Sequence, residues 1–304
     1  MAEKRGCLKN GLLGCGGLLA VGVLFIVIMA GMAAVGLRKG DRIDSAPTPE
    51  FGETTLRGLD PVQLTTLYPG RVVLDLGQGE FRIHTAAPGE GLGAHARFDS
   101  EVHAVGQSFT VAADSSWVCQ ISFRQTMPGL QALFRNMMGK DTNAEIDVYL
   151  PPDVPIELVV RFEQGGGEVE LGGLWLTTAD FDVKQGGFAL SIDEPLQQPM
   201  ERLRLYSRMG GVQAMSLGNA SPRVLDINCT MGGADISLRG DWLNDCDAHF
   251  GVKMGGVAVR VPEHLEVSGD AELAGELRHT DREMPIPQMR ATVVQSMGEV
   301  EIYR

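Results

Sequence analysis

From residue 165 onward, apolar and polar positions alternate with period two in short runs, and each run opens just after a glycine. Phe188, Leu190 and Ile192 share one phase; so do Ala234, Ile236 and Leu238, then Val257, Val259 and Val261, and finally Val300 and Ile302. Alternation sends successive side chains to opposite faces, so these runs predict strands with one buried face. A second apolar run precedes each glycine: Leu203 and Leu205, Leu225 and Ile227, Phe250 and Val252, Leu265 and Val267, Val293. The glycines fall at Gly165, Gly186, Gly210, Gly232, Gly255, Gly275 and Gly298, at intervals of 21, 24, 22, 23, 20 and 23 residues, with an earlier copy at Gly79. Near-constant spacing of this kind marks a repeat architecture.

A unit of roughly 22 residues holds two strands of ~5–6 residues and two turns, with no room for a helix. One such coil cannot bury its own apolar face, whereas a stack of coils shares a continuous interior. The pattern therefore predicts an all-β chain over 70–304: a single parallel β-solenoid with glycine corners between the two strands of each coil. A corner needs glycine where the chain turns with positive φ or passes close to the coil beneath. The residue before the corner is Met209, Met231, Met254 or Met297 in four coils. A methionine stripe can be a soft-metal site, but at this spacing the simpler expectation is interior packing.

Between Gly79 and Gly165 the phrase degrades. Gln107–Val111 and Trp117–Phe123 read as strands, the second with Trp117, Cys119, Ile121 and Phe123 on one face. Over 127–139 the period changes: Leu130, Leu133, Phe134, Met137 and Met138 recur at i, i+3, i+4, i+7, i+8, which predicts one short amphipathic helix. Its apolar face either covers the solenoid or is a docking face for a partner or the membrane surface. The 38–69 segment, with Pro47, Pro49, Pro61 and Pro69 and little periodicity, reads as a linker or stalk.

The stretch IDVYLPPDVPIELVV (146–160), followed by EQGGGEVELGGL (163–174), resembles the toastrack family. MGGVAVRVPEH (254–264) is similar to the F-G-G-V-x-I-x-V-P element of that family's C-terminal part. The likeness covers about 70–304 and weakens at 94–145, where the interval widens. It implies a right-handed single-domain β-solenoid on membrane-anchored or exported bacterial proteins, under labels such as adhesin-like or cell-wall-active antibiotic response. Some members act with envelope-stress signalling. No catalytic motif comes with the resemblance.

The first 10 residues form a short basic tail, and 11–37 contain no charged residue. As a helix, 27 residues reach about 40 Å, beyond the ~30 Å hydrocarbon core, so the segment reads as one transmembrane helix. A cleaved signal peptide is the alternative that Ala30-Gly-Met-Ala-Ala34 leaves open. Leu12-Leu-Gly-Cys15 has a lipoprotein cysteine, but the apolar stretch follows it instead of preceding it. Lys4, Arg5 and Lys9 on one side balance Arg38, Lys39 and Arg42 on the other, so the flanking charges do not orient the helix. Export of the large domain places the solenoid on the outer, periplasmic or extracellular, face of the cytoplasmic membrane.

Composition removes several function classes. Net charge is −13, and the basic residues just named lie in the first 42 positions, so the remainder is more acidic still. Such a domain repels phosphate backbones, which argues against nucleic-acid binding. The cysteines are Cys7, Cys15, Cys119, Cys229 and Cys246, without metal-type spacing. Cys229 and Cys246 have the phase to meet on adjacent coils, though free buried thiols are the simpler reading. Asp245, Asp247 and His249 share a strand face with Cys246 opposite, a weak divalent-ion arrangement better read as the polar outside of a coil. There is no phosphate-binding loop, nucleophile elbow or zinc-protease motif.

The sequence thus reads as a non-enzymatic, membrane-anchored envelope protein without cofactor or metal, a scaffold or regulatory partner acting through protein contacts. The alternative is a surface adhesin or polysaccharide-binding module; the scarcity of aromatics favours protein over sugar. The last strand, ending at Ile302-Tyr-Arg304, is an expected open edge through which two copies could pair.

Overall fold

The structure is a computed structural model that describes residues 69–113, 115–127, 144–269 and 287–304, and the backbone alone of 51–56. The expected tail, transmembrane segment and amphipathic helix, with Leu130, Leu133, Phe134, Met137 and Met138, lie outside the described residues. Among the described residues no helix is long and apolar enough to cross a membrane.

Among the described residues thirteen strands form one sheet, most of it parallel. They are β1 (Phe51–Leu56), β2 (Gly70–Thr85), β3 (Gly93–Asp99), β4 (His103–Val111), β5 (Trp117–Gln125), β6 (Glu145–Leu150), β7 (Ile156–Glu170), β8 (Leu176–Ser191), β9 (Arg202–Met215), β10 (Val224–Ser237), β11 (Cys246–Arg260), β12 (Glu266–Gly269) and β13 (Gln288–Tyr303). The central run β2-β7-β8-β9-β10-β11-β13 is parallel throughout and in register at every corner glycine, from Gly79 against Gly165 to Gly255 against Gly298. This is the solenoid-like, all-β architecture that the period-two runs imply.

Each coil differs from the expected pair of strands. It is one strand of 14 to 16 residues, bent at its glycine while the ladder runs on. The alternation changes phase at the bend. In β8, Ala179, Phe181 and Val183 point inward before the corner, and Phe188 and Leu190 after it. Both halves of the coil can thereby face one interior. Gly210 shows why the bend needs glycine: its φ is 140°, and a Cβ there would lie 2.6 Å from the carbonyl carbon of Gly186 on the next coil. Gly165, Gly186, Gly232 and Gly255 repeat that arrangement. Gly275 lies outside the described residues; β11 pairs directly with β13, Gly255 against Gly298.

The connections stack as well. The amide side chain of Asn219 donates to the carbonyl oxygens of Ile192 and Asp193, and its oxygen accepts from the N–H of Asp241, so one residue ties three successive turns together. Leu174, Leu196, Leu217, Leu238 and Leu265 close the core on that side.

Both ends of the stack depart from sequence order. β2 lies directly against β7, so the described residues between them are an excursion from the stack. They return β5 and β6 to the other side of β2, as two half-strands in parallel register with it. β4 then pairs antiparallel with β5, β3 with β6, and β1 with β3. The stalk reading thus needs correction at 51–56, where the ladder against β3 supplies the order that the local sequence does not announce. At the far end, β13 slots between β11 and the short β12. Trp117, Cys119, Ile121 and Phe123 are fully buried, as the alternation in β5 requires.

The methionine expectation fails. Met209, Met231 and Met297 are 41%, 38% and 71% exposed. Met209 continues the inward phase of Leu203, Leu205 and Ser207, but the chain is already turning at Gly210, and the apex residue points away from the interior.

Candidate ligand-binding trough

The half-strands that follow the corners carry an open groove of about 910 Å3, running across the sheet from β2 to β13. Seven strands at the ~4.8 Å spacing of a ladder make it about 29 Å long. Its floor is the second glycine of each pair: Gly166, Gly187, Gly211, Gly233 and Gly256, with Glu80 at one end of the row and Glu299 at the other. The next outward row is Arg82, Glu168, Ala189, Gln213, Asp235, Ala258 and Glu301.

The two glycine rows have different physical standing. The first row cannot accept a side chain, as Gly210 shows. The second row has ordinary backbone conformations, and a Cβ on Gly211 would meet nothing within 4 Å. On Gly166, Gly233 and Gly256 the nearest atom would be 3.9, 3.6 and 4.0 Å away, which is ordinary contact; only Gly187, at 3.3 Å, is tighter. Glu80 and Glu299 occupy the same register position, so the fold tolerates a long side chain there. Folding alone therefore does not call for five consecutive glycines. What they create is a flat floor of bare backbone.

The charges sort by face. Before the corners, in-register strands alternate acid and base: Arg161 pairs with Asp75 at 3.0 Å, Arg204 with Asp180 at 3.3 Å and Asp226 at 4.0 Å, and Arg208 with Asp182 at 3.4 Å. Lys184 likewise meets Glu163. Along the trough, Glu80, Glu168, Asp235, Glu299 and Glu301 have no ion-pair partner among the described residues. Among the described residues Arg82 is the one cation lining the trough, and it is held 3.1 Å from Asp147. Two residues further along β2, His84 lies 3.1 Å from Glu170 and stacks on Tyr149.

Other sequence candidates do not assemble into a site. Asp245 accepts a hydrogen bond from the Gln288 N–H, and Asp247 lies 3.9 Å from Arg290. Among the described residues no group of three acidic, histidine or cysteine side chains is placed to hold a metal. Cys119, Cys229 and Cys246 are free and buried. Burial pushes the Cys229 thiol up to about 11; burial first, and then the Asp247 charge, push Cys246 up to about 12. The repeat in the sequence marks the first glycine of each pair as a corner and gives the second no separate role. The available signal for the trough was the doubling itself, since one glycine suffices for the turn.

No protein-family model matches the chain, and no curated protein matches it. Among solved structures, it is similar to a proposed cell adhesion protein from Clostridium sporogenes, at 12% identity and a TM-score of 0.39, covering 84% of this chain and 99% of that one. It is also similar to a proposed adhesin from Bacteroides fragilis, at 11% identity and a TM-score of 0.36, covering 84% and 98%. A proposed adhesin from Parabacteroides distasonis aligns at 10% identity and a TM-score of 0.26, over 84% and 98%.

Proposed function

We propose that the chain is a membrane-anchored envelope protein that acts by binding and not by catalysis, with its trough holding an extended, basic segment of a protein partner. The observation that carries this reading is the second glycine row: side chains are missing where neither backbone conformation nor packing excludes them. A floor without side chains lets an extended chain lie close against the sheet, and the unpaired carboxylates beside it favour positive charge. The toastrack resemblance supports anchoring or export. A polysaccharide ligand is the second reading, but the trough aromatics, Phe81 and Phe188, are buried and offer no face on which a sugar could stack.

The test is fluorescence anisotropy of a labelled lysine-rich peptide against the full chain, compared with Gly211→Tyr/Gly233→Tyr. Tyr suits strands, so the double variant should keep its melting temperature while filling the floor. Binding should weaken with salt and be lost in the variant. Peptide binding that survives the two tyrosines, or is indifferent to salt, removes the trough from the function. Preference for a neutral oligosaccharide over the peptide would favour the second reading.

A further inference from the structure

The position just before the corner glycine forms a column of its own, independent of the trough. In β2, β7 and β8 it is Gln78, Gln164 and Gln185; in β9, β10, β11 and β13 it is Met209, Met231, Met254 and Met297. The methionines pair strictly in register, each against the next. Three of them are well exposed, and the glutamines show that the site does not require an apolar side chain. The methionines therefore gain little packing there, and they are contiguous instead of scattered.

In-register strands set neighbouring thioethers ~4.8 Å apart at their Cα atoms. A soft ion bound at roughly 2.3 Å by three sulfurs in a plane needs them about 4 Å apart. The outer two, Met209 and Met254, flank Met231 and start ~9.6 Å apart at their Cα atoms, so each must lean inward by roughly 3 Å, which the three rotatable bonds of an unbranched methionine side chain allow. Thioethers are neutral donors, so they need no deprotonation, and they select soft monovalent ions over zinc, calcium or magnesium. At the position before each methionine, Arg208 is committed to Asp182, Thr230 and Ser296 are neutral, and Lys253 is exposed to solvent. We infer that Met209, Met231 and Met254, with Met297 as a neighbouring donor, form a surface site for copper(I).

The probe is copper(I) itself, kept reduced with ascorbate under anaerobic conditions, and competed against the chromophoric chelator bicinchoninate. The full chain should withdraw copper(I) from the chelator. An outer partner of a metal site is already worth roughly 10–100-fold in affinity, so Met231→Gln/Met254→Gln should lose at least that much. The substitution extends the existing glutamine column, and the thermal melt should not move. Met231→Leu/Met254→Leu, which keeps the apolar shape, should lose affinity equally. Zinc(II) in excess should not displace the copper. The inference is overturned if the wild-type chain withdraws none. It is also overturned if the variants withdraw as much as wild type, which would assign the ion to the cysteine thiols that both variants retain.

Discussion

Exchanging either glycine of one pair for alanine separates the two rows by experiment. At Gly210 the added Cβ meets the Gly186 carbonyl well inside van der Waals contact, and the φ of 140° is one that alanine resists. Strain of that kind costs ~1–3 kcal/mol. Relieving the clash by pulling β9 off β8 sacrifices ladder hydrogen bonds worth about 1 kcal/mol each. Two lost bonds and the strain sum to about 3–5 kcal/mol, against a total stability of ~5–15 kcal/mol for an ordinary domain. At Gly211 nothing lies within 4 Å and the backbone is ordinary. Alanine there restricts only the unfolded chain and should stabilise by ~0.4–1 kcal/mol. Urea unfolding followed by circular dichroism should therefore show a large loss of midpoint for Gly210→Ala and none, or a small gain, for Gly211→Ala. Equal shifts, or a benign Gly210→Ala, would refute the claim that one row is structural and the other is free.

Cys229 and Cys246 should resist alkylation of the folded protein at pH 8 and react once it is unfolded. Their folded-state protons are held to about 11 and about 12, whereas an unfolded thiol ionises from about 9. The unfolded state then binds fewer protons, so their contribution to stability declines as pH rises past about 9, measurable as a falling melting temperature that Cys246→Ser reduces. For the amphipathic stretch, Leu133→Asp/Phe134→Asp discriminates its two roles: a docking face tolerates both changes, while a stability loss beyond ~2 kcal/mol makes it part of the core.

The repeat was legible because its signals agree: Leu225, Ile227, Ala234, Ile236 and Leu238 alternate on both sides of a glycine, and all are buried. What failed did so where local pattern and three-dimensional context part. A bent strand and two strands with a turn have the same alternation, so sequence could not tell that the ladder persists through Gly232. Met231 carries the inward phase of Ile227 and Cys229, and only the bend reveals that it faces out. The direct pairing of β2 with β7 is non-local, and nothing between residues 86 and 155 specifies which earlier strand β7 will meet. The trough was written in the sequence as paired glycines, but only the space around each one separates a required glycine from an optional one.

The shared register has a consequence for the size of what can be held. Gly165, Gly186 and Gly210 occupy equivalent rungs, so β9 presents to β8 the same edge that β8 presents to β7. A whole coil is thus an interchangeable segment of a ruler: gaining or losing one changes the trough by a single ~4.8 Å step. The reach of the protein along an extended ligand is set by counting coils, while the two irregular ends stay as they are.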